Sequence, residues 1–200
     1  MKPVKEKKER ALGIKLFLKA ERCNSPKCAT IRKPYGPGMH GQKRKRMPSD
    51  FARQLKEKQK VQLLYGLNNR QVMNLFRKSS PAEIFSVLER RLDRVVYYLG
   101  FAASPRVGRQ MVSHGHITVN GKRVTIPSYR VKVHDVISIR PESKSGKLFE
   151  GLDERLKQRE VPSWLKFTTE NLSGECIAEP DLGGAQVPFD ISLVGEFYSR

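Results

Sequence analysis

The dipeptide Asn120-Gly121 constrains this chain more than any other pair of residues. A two-residue hairpin turn needs positive φ at both central positions, and Asn-Gly is its preferred occupant. Ile117-Thr118-Val119 alternates on one side and Lys122-Arg123-Val124 on the other, so the spacing predicts a β-hairpin over 117–124. Two helix signatures feed this hairpin. Ser80-Pro81-Ala82-Glu83 combines a capping serine, a proline in the first turn and an acid where a capping box wants one. Ile84, Val87, Leu88, Leu92, Val95 and Leu99 then recur at helical spacing, which predicts one helix running to a stop at Gly100. Ser104-Pro105 opens a second, short helix with Val107, Met111 and Val112 inward, Arg106, Arg109, Gln110 and Ser113 outward, and Gly115 as its stop. Tyr129–Val133 and Val136–Arg140 alternate as further strands around a His134-Asp135 turn.

The polar side of this unit is cationic. Arg90 and Arg94 are four apart and so share a face of the predicted helix. Arg106 and Arg109 share the exposed face of the next one, Lys122 and Arg123 follow the hairpin turn, and Arg130 and Lys132 lie on one face of the next strand. A basic surface spread over adjacent elements suits a phosphate backbone better than a small anion. The charge of the whole chain agrees: the formal net charge is +19 and the pI about 10.1. Such charge repels itself in a compact state, so an anionic partner accounts for it. Residues 1–80 hold 22 Lys and Arg against 5 Asp and Glu, residues 81–140 hold 10 against 4, and residues 141–200 hold 7 against 11. The first two segments are therefore the expected nucleic-acid side, and the last is expected to pack or to face protein.

Two hundred residues can bury a real core in one or two domains. No apolar run is long enough to span a membrane, and the charged N-terminus lacks the apolar core of a signal peptide. Three cysteines do not form a disulfide framework, so a reducing, cytoplasmic setting is expected.

Outside the hairpin unit, Met1–Arg10 is a charge run expected to fray or to lie on RNA, and Gly13–Lys19 is apolar enough to dock as a helical turn. Cys23–Arg46 reads as a long loop ordered by a partner, ending in the cationic run Lys43-Arg44-Lys45-Arg46. Ser49 caps a helix to Tyr65 whose Arg53, Lys56, Lys58 and Lys60 make a basic surface, and Asn69–Lys78 reads as another helix. Phe51, Tyr65 and Phe76 sit at helical spacing and read as core rather than as platforms for bases. Leu148, Leu152 and Leu156 suggest a helix, Trp164–Phe167 and Glu175–Ala178 suggest strands around a Ser173-Gly174 turn, and Pro188–Arg200 suggests a last helix.

Cys23 and Cys28 have the spacing of one half of a zinc site, but zinc needs about four ligands, and His40 has no supporting pattern as a third. Cys176 reads as a small core residue. His114 and His116 flank a helix stop without further ligands or a paired nucleophile. No phosphate loop, dinucleotide fingerprint or catalytic triad occurs, so neither catalysis nor a small-molecule substrate is expected.

Arg91-Leu92-Asp93, Val95-Val96-Tyr97, Leu99-Gly100-Phe101, Arg109-Gln110 and His114-Gly115-His116-Ile117-Thr118-Val119-Asn120-Gly121 resemble the small RNA-binding module named after protein four of the small ribosomal subunit. Pro37-Gly38-Met39-His40-Gly41-Gln42, Pro48-Ser49-Asp50, Leu55-Lys56-Glu57-Lys58-Gln59-Lys60, Tyr65-Gly66 and the final Glu196-Phe197-Tyr198-Ser199-Arg200 resemble the rest of that ribosomal family. The resemblance covers essentially the whole chain. It implies an α+β fold: a largely helical first domain, built from the N-terminal region and the C-terminal tail, with an inserted helix-helix-β-hairpin RNA-binding module and a small antiparallel sheet. The expected divisions are a basic N-terminal extension and loop (1–46), a helical rRNA-binding domain (47–88), the RNA-binding module (89–150) and a C-terminal segment returning to the helical domain (151–200).

The resemblance further implies binding to a multi-helix junction in the 5′ domain of 16S rRNA early in subunit assembly. It implies contact with small-subunit ribosomal protein five, an effect on decoding accuracy, and repression of the chain's own messenger. It places Arg44, Lys45 and Arg46 near where messenger RNA enters the small subunit. It adds His114, His116 and Asn120 to an RNA interface that also holds Arg53, Lys56, Lys60, Arg90, Arg94, Arg106, Arg109, Lys122 and Arg123. Some members of the family carry a second pair of cysteines upstream. Aligned on Gly13, those positions hold Glu6 and Glu9 here, so zinc is not expected at Cys23 and Cys28, nor any other cofactor. Two rivals remain. An RNA-modifying enzyme that borrowed the module would need a catalytic domain, which the rest of the chain does not offer. A DNA-binding helix-turn-helix protein would not need the basic loop and hairpin.

Overall fold

Helix α1 (Lys7–Leu12) forms where charge alone suggests fraying. Its Glu9 is buried because Oε1 accepts the N–H groups of Leu16 (2.9 Å) and Leu18 (3.4 Å) in the segment that follows. That segment docks with Leu16 and Leu18 buried but makes no helical turn. The computed structural model describes residues 6–43, 47–144, 146, 149, 152, 156, 161–168, 172–182 and 187–199. The expected long loop contains two short helices, α2 (Ala20–Asn24) and α3 (Ala29–Arg32). Beyond them Arg10 donates to the carbonyls of Lys33, Tyr35 and Gly36 at 3.0–3.3 Å, giving irregular backbone the partners that helix or sheet would otherwise supply.

Helix α4 (Asp50–Leu64) starts where Ser49 Oγ accepts the Ala52 N–H, and α5 (Asn69–Lys78) starts with a reciprocal Asn68–Gln71 capping box. The C-terminal helix, Ile191–Tyr198, is capped by Asp190 and packs across both. Gln54 donates to Glu196 (2.9 Å), the Asp190 N–H to Glu57 (3.1 Å), and the Tyr198 hydroxyl to Asn69 (3.1 Å). Phe51 meets Phe197, Phe76 meets Tyr198 and Tyr65 meets Phe189, with ring centroids 5.7, 5.9 and 6.0 Å apart. All three aromatics thus pack within the chain, although Phe51 stays half exposed. These elements form one compact unit, Met1–Ile84 with Ala185–Arg200; the second unit is Phe85–Gly184.

Helix α6 (Pro81–Glu89) crosses from the first unit into the second, opened by the Ser80–Glu83 capping box. It does not run on to Gly100. Arg91 is extended and bridges antiparallel to Arg130. The Leu92 N–H donates to the Tyr129 carbonyl (2.9 Å), and the Val131 N–H donates to the Arg90 carbonyl (2.8 Å). Backbone groups that would have continued the helix are spent on the 129–131 segment, so α7 (Leu92–Tyr98) starts afresh. The same pairing diverts Tyr129–Val133 from the sheet in which a strand was expected. Helix α8 (Pro105–His114) follows, with Ser104 accepting the Val107 N–H.

The sheet is antiparallel throughout, in the order β2 (Lys122–Arg123), β1 (Ile117–Val119), β3 (Val136–Ile139), β5 (Ser173–Cys176), β4 (Leu165–Thr168). The hairpin register pairs Val119 with Lys122 across the two-residue Asn120-Gly121 turn. Ser173 and Gly174 lie inside β5 rather than in a turn. A Cβ at Gly174 would sit 2.3 Å from Leu99 Cδ2, so the end of α7 presses on bare strand backbone. Leu92, Val95 and Val112 from the helices, with Ile117, Ile137 and Leu165 from the sheet, belong to the core of this unit. Leu152 and Leu156 are helical, while Leu148 lies outside the described residues. The fold is α+β: a helical unit drawn from both ends of the chain, and a helix-helix-hairpin unit with a five-stranded sheet.

Candidate nucleic-acid interface

In the second unit, α8 and the hairpin are tied into one surface. Gly115 turns the chain out of α8 at φ 76, in the left-handed region. A Cβ there would lie 2.2 Å from Arg123 Nε, so the Arg123 guanidinium lies over bare backbone and donates to the His114 carbonyl at 3.4 Å. Lys122 and Arg123 remain exposed, as do Arg130 and Lys132. Asn120 points its amide nitrogen at Asp135 (2.8 Å) and accepts the Val136 N–H (2.8 Å), while Asp135 also accepts the Lys132 N–H (2.8 Å). Asn120 therefore pins the hairpin tip to β3. His114 is exposed; His116 is half-buried, with Nδ1 3.0 Å from Ser143 Oγ and its ring edge-to-face with Phe149.

The arginines divide by role. Arg106 and Arg109 share the outward side of α8 and are half-buried. Burial, and then the neighbouring Arg109 charge, lower the Arg106 pKa. A bound anion would relieve that like-charge repulsion. Asp93 is buried and accepts from Arg91 Nε (3.1 Å) and Nη2 (2.7 Å), with Arg109 Nη1 3.9 Å from the same carboxylate. Asp93 thus positions Arg109 from within the core.

Arg94 was expected outward and is not. It is 5% exposed, with Nη2 2.5 Å from the Tyr98 hydroxyl and 3.4 Å from the Glu89 carboxylate, and its guanidinium lies 4.7 Å from the Tyr98 ring centre. Burial pushes the Tyr98 phenol up; the Arg94 charge opposes this and Glu89 adds to it. The physical reason is that α7, which starts afresh after the break at Arg90-Arg91, is buried on all sides: Leu92, Asp93, Arg94, Val95 and Val96 are buried in succession, so Arg94 has no outward face there. Arg90 sits at the break itself and pairs with Glu179 (2.7 Å), so it shares no helical face with Arg94.

In the first unit Arg53 is exposed and pairs with Asp50 (2.5 Å), Lys56 is exposed, and Lys60 is mostly covered and paired with Glu57 (2.6 Å). Lys58 lies 4.4 Å from the Phe197 ring centre. Arg44, Lys45 and Arg46 lie outside the described residues.

Cys23 and Cys28 are both buried. Burial pushes the Cys23 thiol up, against a backbone hydrogen bond from Lys19, and Glu9 and Cys28 add to the rise. Burial acts the same way on Cys28, but the backbone N–H groups of Thr30 and Ile31 outweigh it and lower that thiol. Upstream, Glu9 accepts the Leu16 and Leu18 N–H groups through Oε1 while its Oε2 is buried with no hydrogen-bond partner among the described residues, and Glu6 Oε1 lies 3.0 Å from Arg22 Nε. His40 is exposed. Among the described residues, no group of three or more His, Cys, Asp or Glu is arranged to hold a metal, and this donor set does not fit zinc.

Sequence reasoning missed Asp93, Asp135 and Glu89. Each is a buried acid that orients a cation or the hairpin, and the only local signal was an aspartate two residues after Arg91 or one after His134.

No helix among the described residues is long and apolar enough to cross a membrane. A family described as the S4 domain matches residues 90–137, and one described as the ribosomal protein S4/S9 N-terminal domain matches residues 2–95. The chain is 49% identical over 194 residues to the small ribosomal subunit protein uS4 of Thermus thermophilus, covering 94% of this chain and 93% of that one. The same protein of Caldicellulosiruptor saccharolyticus is 45% identical and that of Syntrophomonas wolfei 41% identical, over the same shares. With an arginine-bearing α8 tied to an exposed basic hairpin, and likeness of this extent along both units, the chain belongs to the ribosomal protein S4 family.

Proposed function

We propose that this chain is a structural, non-catalytic constituent of the small ribosomal subunit that binds 16S rRNA through the α8–hairpin surface. Arg106 and Arg109, set beside each other on α8, carry the reading together with Lys122 and Arg123 on the hairpin. The helix end and the hairpin are linked through Arg123, so the cations are displayed on a pre-organised frame and recognition rests on phosphate position and shape. The relatives are small ribosomal subunit proteins by name, which supports the same setting here. In this reading the chain docks on a multi-helix junction in the 5′ domain of the rRNA and nucleates assembly of the subunit body. Arg44, Lys45 and Arg46 face messenger RNA where it enters the subunit, protein five is a neighbour, and decoding accuracy depends on the docking.

The test is a salt series of binding to a junction fragment from the 5′ domain and to an equally long duplex. Replacing Arg106, Arg109 or Lys122 by alanine should lower the salt slope by up to about one for each phosphate no longer neutralised, and weaken all RNA sequences similarly. If those variants keep the full slope and the junction preference, this surface is only solvated and the reading fails.

A further inference from the structure

We propose that the groove between α1 and α4 receives one unstacked nucleobase of the bound RNA. The inference rests on the rRNA-binding reading above and adds, within the first unit, a base-specific site to contacts otherwise argued from phosphates. The groove is open on one side and has a volume of about 470 Å³, within the range of small-molecule clefts. Leu12 of α1, Leu63 of α4 and Leu67 beyond it supply apolar surface on which the face of a base can lie. Gln59, Gln62 and Asn68 also line it. A glutamine amide offers both donor and acceptor, which is the pairing that base edges present. Asn68 spends its oxygen on the Gln71 N–H at 2.8 Å, which leaves its amide nitrogen as the side-chain group it can offer a ligand.

Charge selects the occupant. Lys8 lines the groove and is exposed, in position to meet the phosphate attached to an inserted base. Among the described residues no carboxylate lines it, so a metal cation or a basic peptide finds no counter-charge. One lysine is also too little for a free, multiply charged anion. A single nucleotide that is part of a longer chain needs what is present: one cation, flat apolar walls and amides for its edge. Sequence-specific RNA recognition commonly takes splayed, unpaired bases in this way. The walls are held before any ligand arrives, because Glu9 ties α1 to the 16–18 backbone and Arg10 ties it to the 33–36 backbone.

The experiment uses the full chain and a junction fragment from the 5′ domain of small-subunit rRNA. Base-modifying reagents read which unpaired bases become protected, and titration reads affinity. The double variant Gln59→Ala, Gln62→Ala should bind about tenfold more weakly and lose protection at a single unpaired base, with the salt slope unchanged. Ala11→Phe, at an exposed position on the groove wall, should do the same by filling it while removing no hydrogen-bonding group. If wild-type protein binds the fragment and both variants keep its affinity and protection pattern, the groove reads no base and the inference falls while the rRNA-binding reading stands. If wild-type protein shows no preference for the fragment over duplex, both fall together.

Discussion

Arg94→Ala should destabilise the second unit rather than loosen its hold on RNA. Arg94 is 5% exposed and Glu89 2% exposed, and their closest approach is 3.4 Å. Removing one partner of a buried ion pair costs about 3–5 kcal/mol, because the other charge stays behind without compensation. The Tyr98 hydroxyl remains beside the gap and can donate to the carboxylate, so the lower end, about 3 kcal/mol, is expected. With a urea slope of about 2 kcal/mol/M, that moves the midpoint down by about 1.5 M. Trp164 is the sole tryptophan and sits edge-to-face with Tyr98 at 6.1 Å, so its fluorescence reports this network directly. A second variant separates charge burial from packing. Arg94→Met with Glu89→Leu removes both charges at similar volume and should recover most of the loss, since a buried pair contributes little net stability over an apolar replacement. Salt dependence of RNA binding by the folded protein should match wild type in both cases. The reasoning is refuted if Arg94→Ala leaves the midpoint within about 0.3 M of wild type and lowers the salt slope by about one, which is the signature of an outward phosphate contact.

Asp135→Ala strips an acceptor from the Asn120 amide and the Lys132 N–H, both at 2.8 Å, and should cost about 3 kcal/mol, with faster amide exchange across the 117–124 hairpin. Hairpin exchange rates equal to wild type would contradict the pinning role of Asn120. Purified protein should contain no stoichiometric zinc, because positions 6 and 9 hold glutamates where a second pair of thiolates would be needed beside Cys23 and Cys28; elemental analysis finding one zinc per chain, lost on Cys23→Ser, would overturn this. Replacing Arg44, Lys45 and Arg46 by alanine should leave the urea midpoint unchanged and slow translation of structured messengers. Normal unwinding by ribosomes that carry this variant would count against their place on the messenger path.

What the chain shows without its fold are the features that depend on neighbours a few residues away. Ser49, Ser80 and Ser104 mark helix starts because capping is a contact between a side chain and an N–H two or three residues on. Asn120-Gly121 marks the hairpin because positive φ is a property of those two residues. The cationic bias and the family likeness are likewise legible in one dimension, and together they carried the functional reading. Tertiary structure alone decided the rest, through hydrogen bonds between residues far apart in sequence. The 129–131 backbone claims the partners of Arg90 and Leu92, and this breaks a helix whose apolar spacing is unbroken. Packing around every side of α7 turns Arg94 from an apparent surface cation into a core ion pair. Glu9 is a surface charge by composition and a buried acceptor in fact, because Leu16 and Leu18 bring their N–H groups to it. Gly174 reads as a turn residue until Leu99 is seen to need the space. Whether a charged side chain on a helix meets water is set by what packs around that helix, and spacing along the chain shows only which face is apolar.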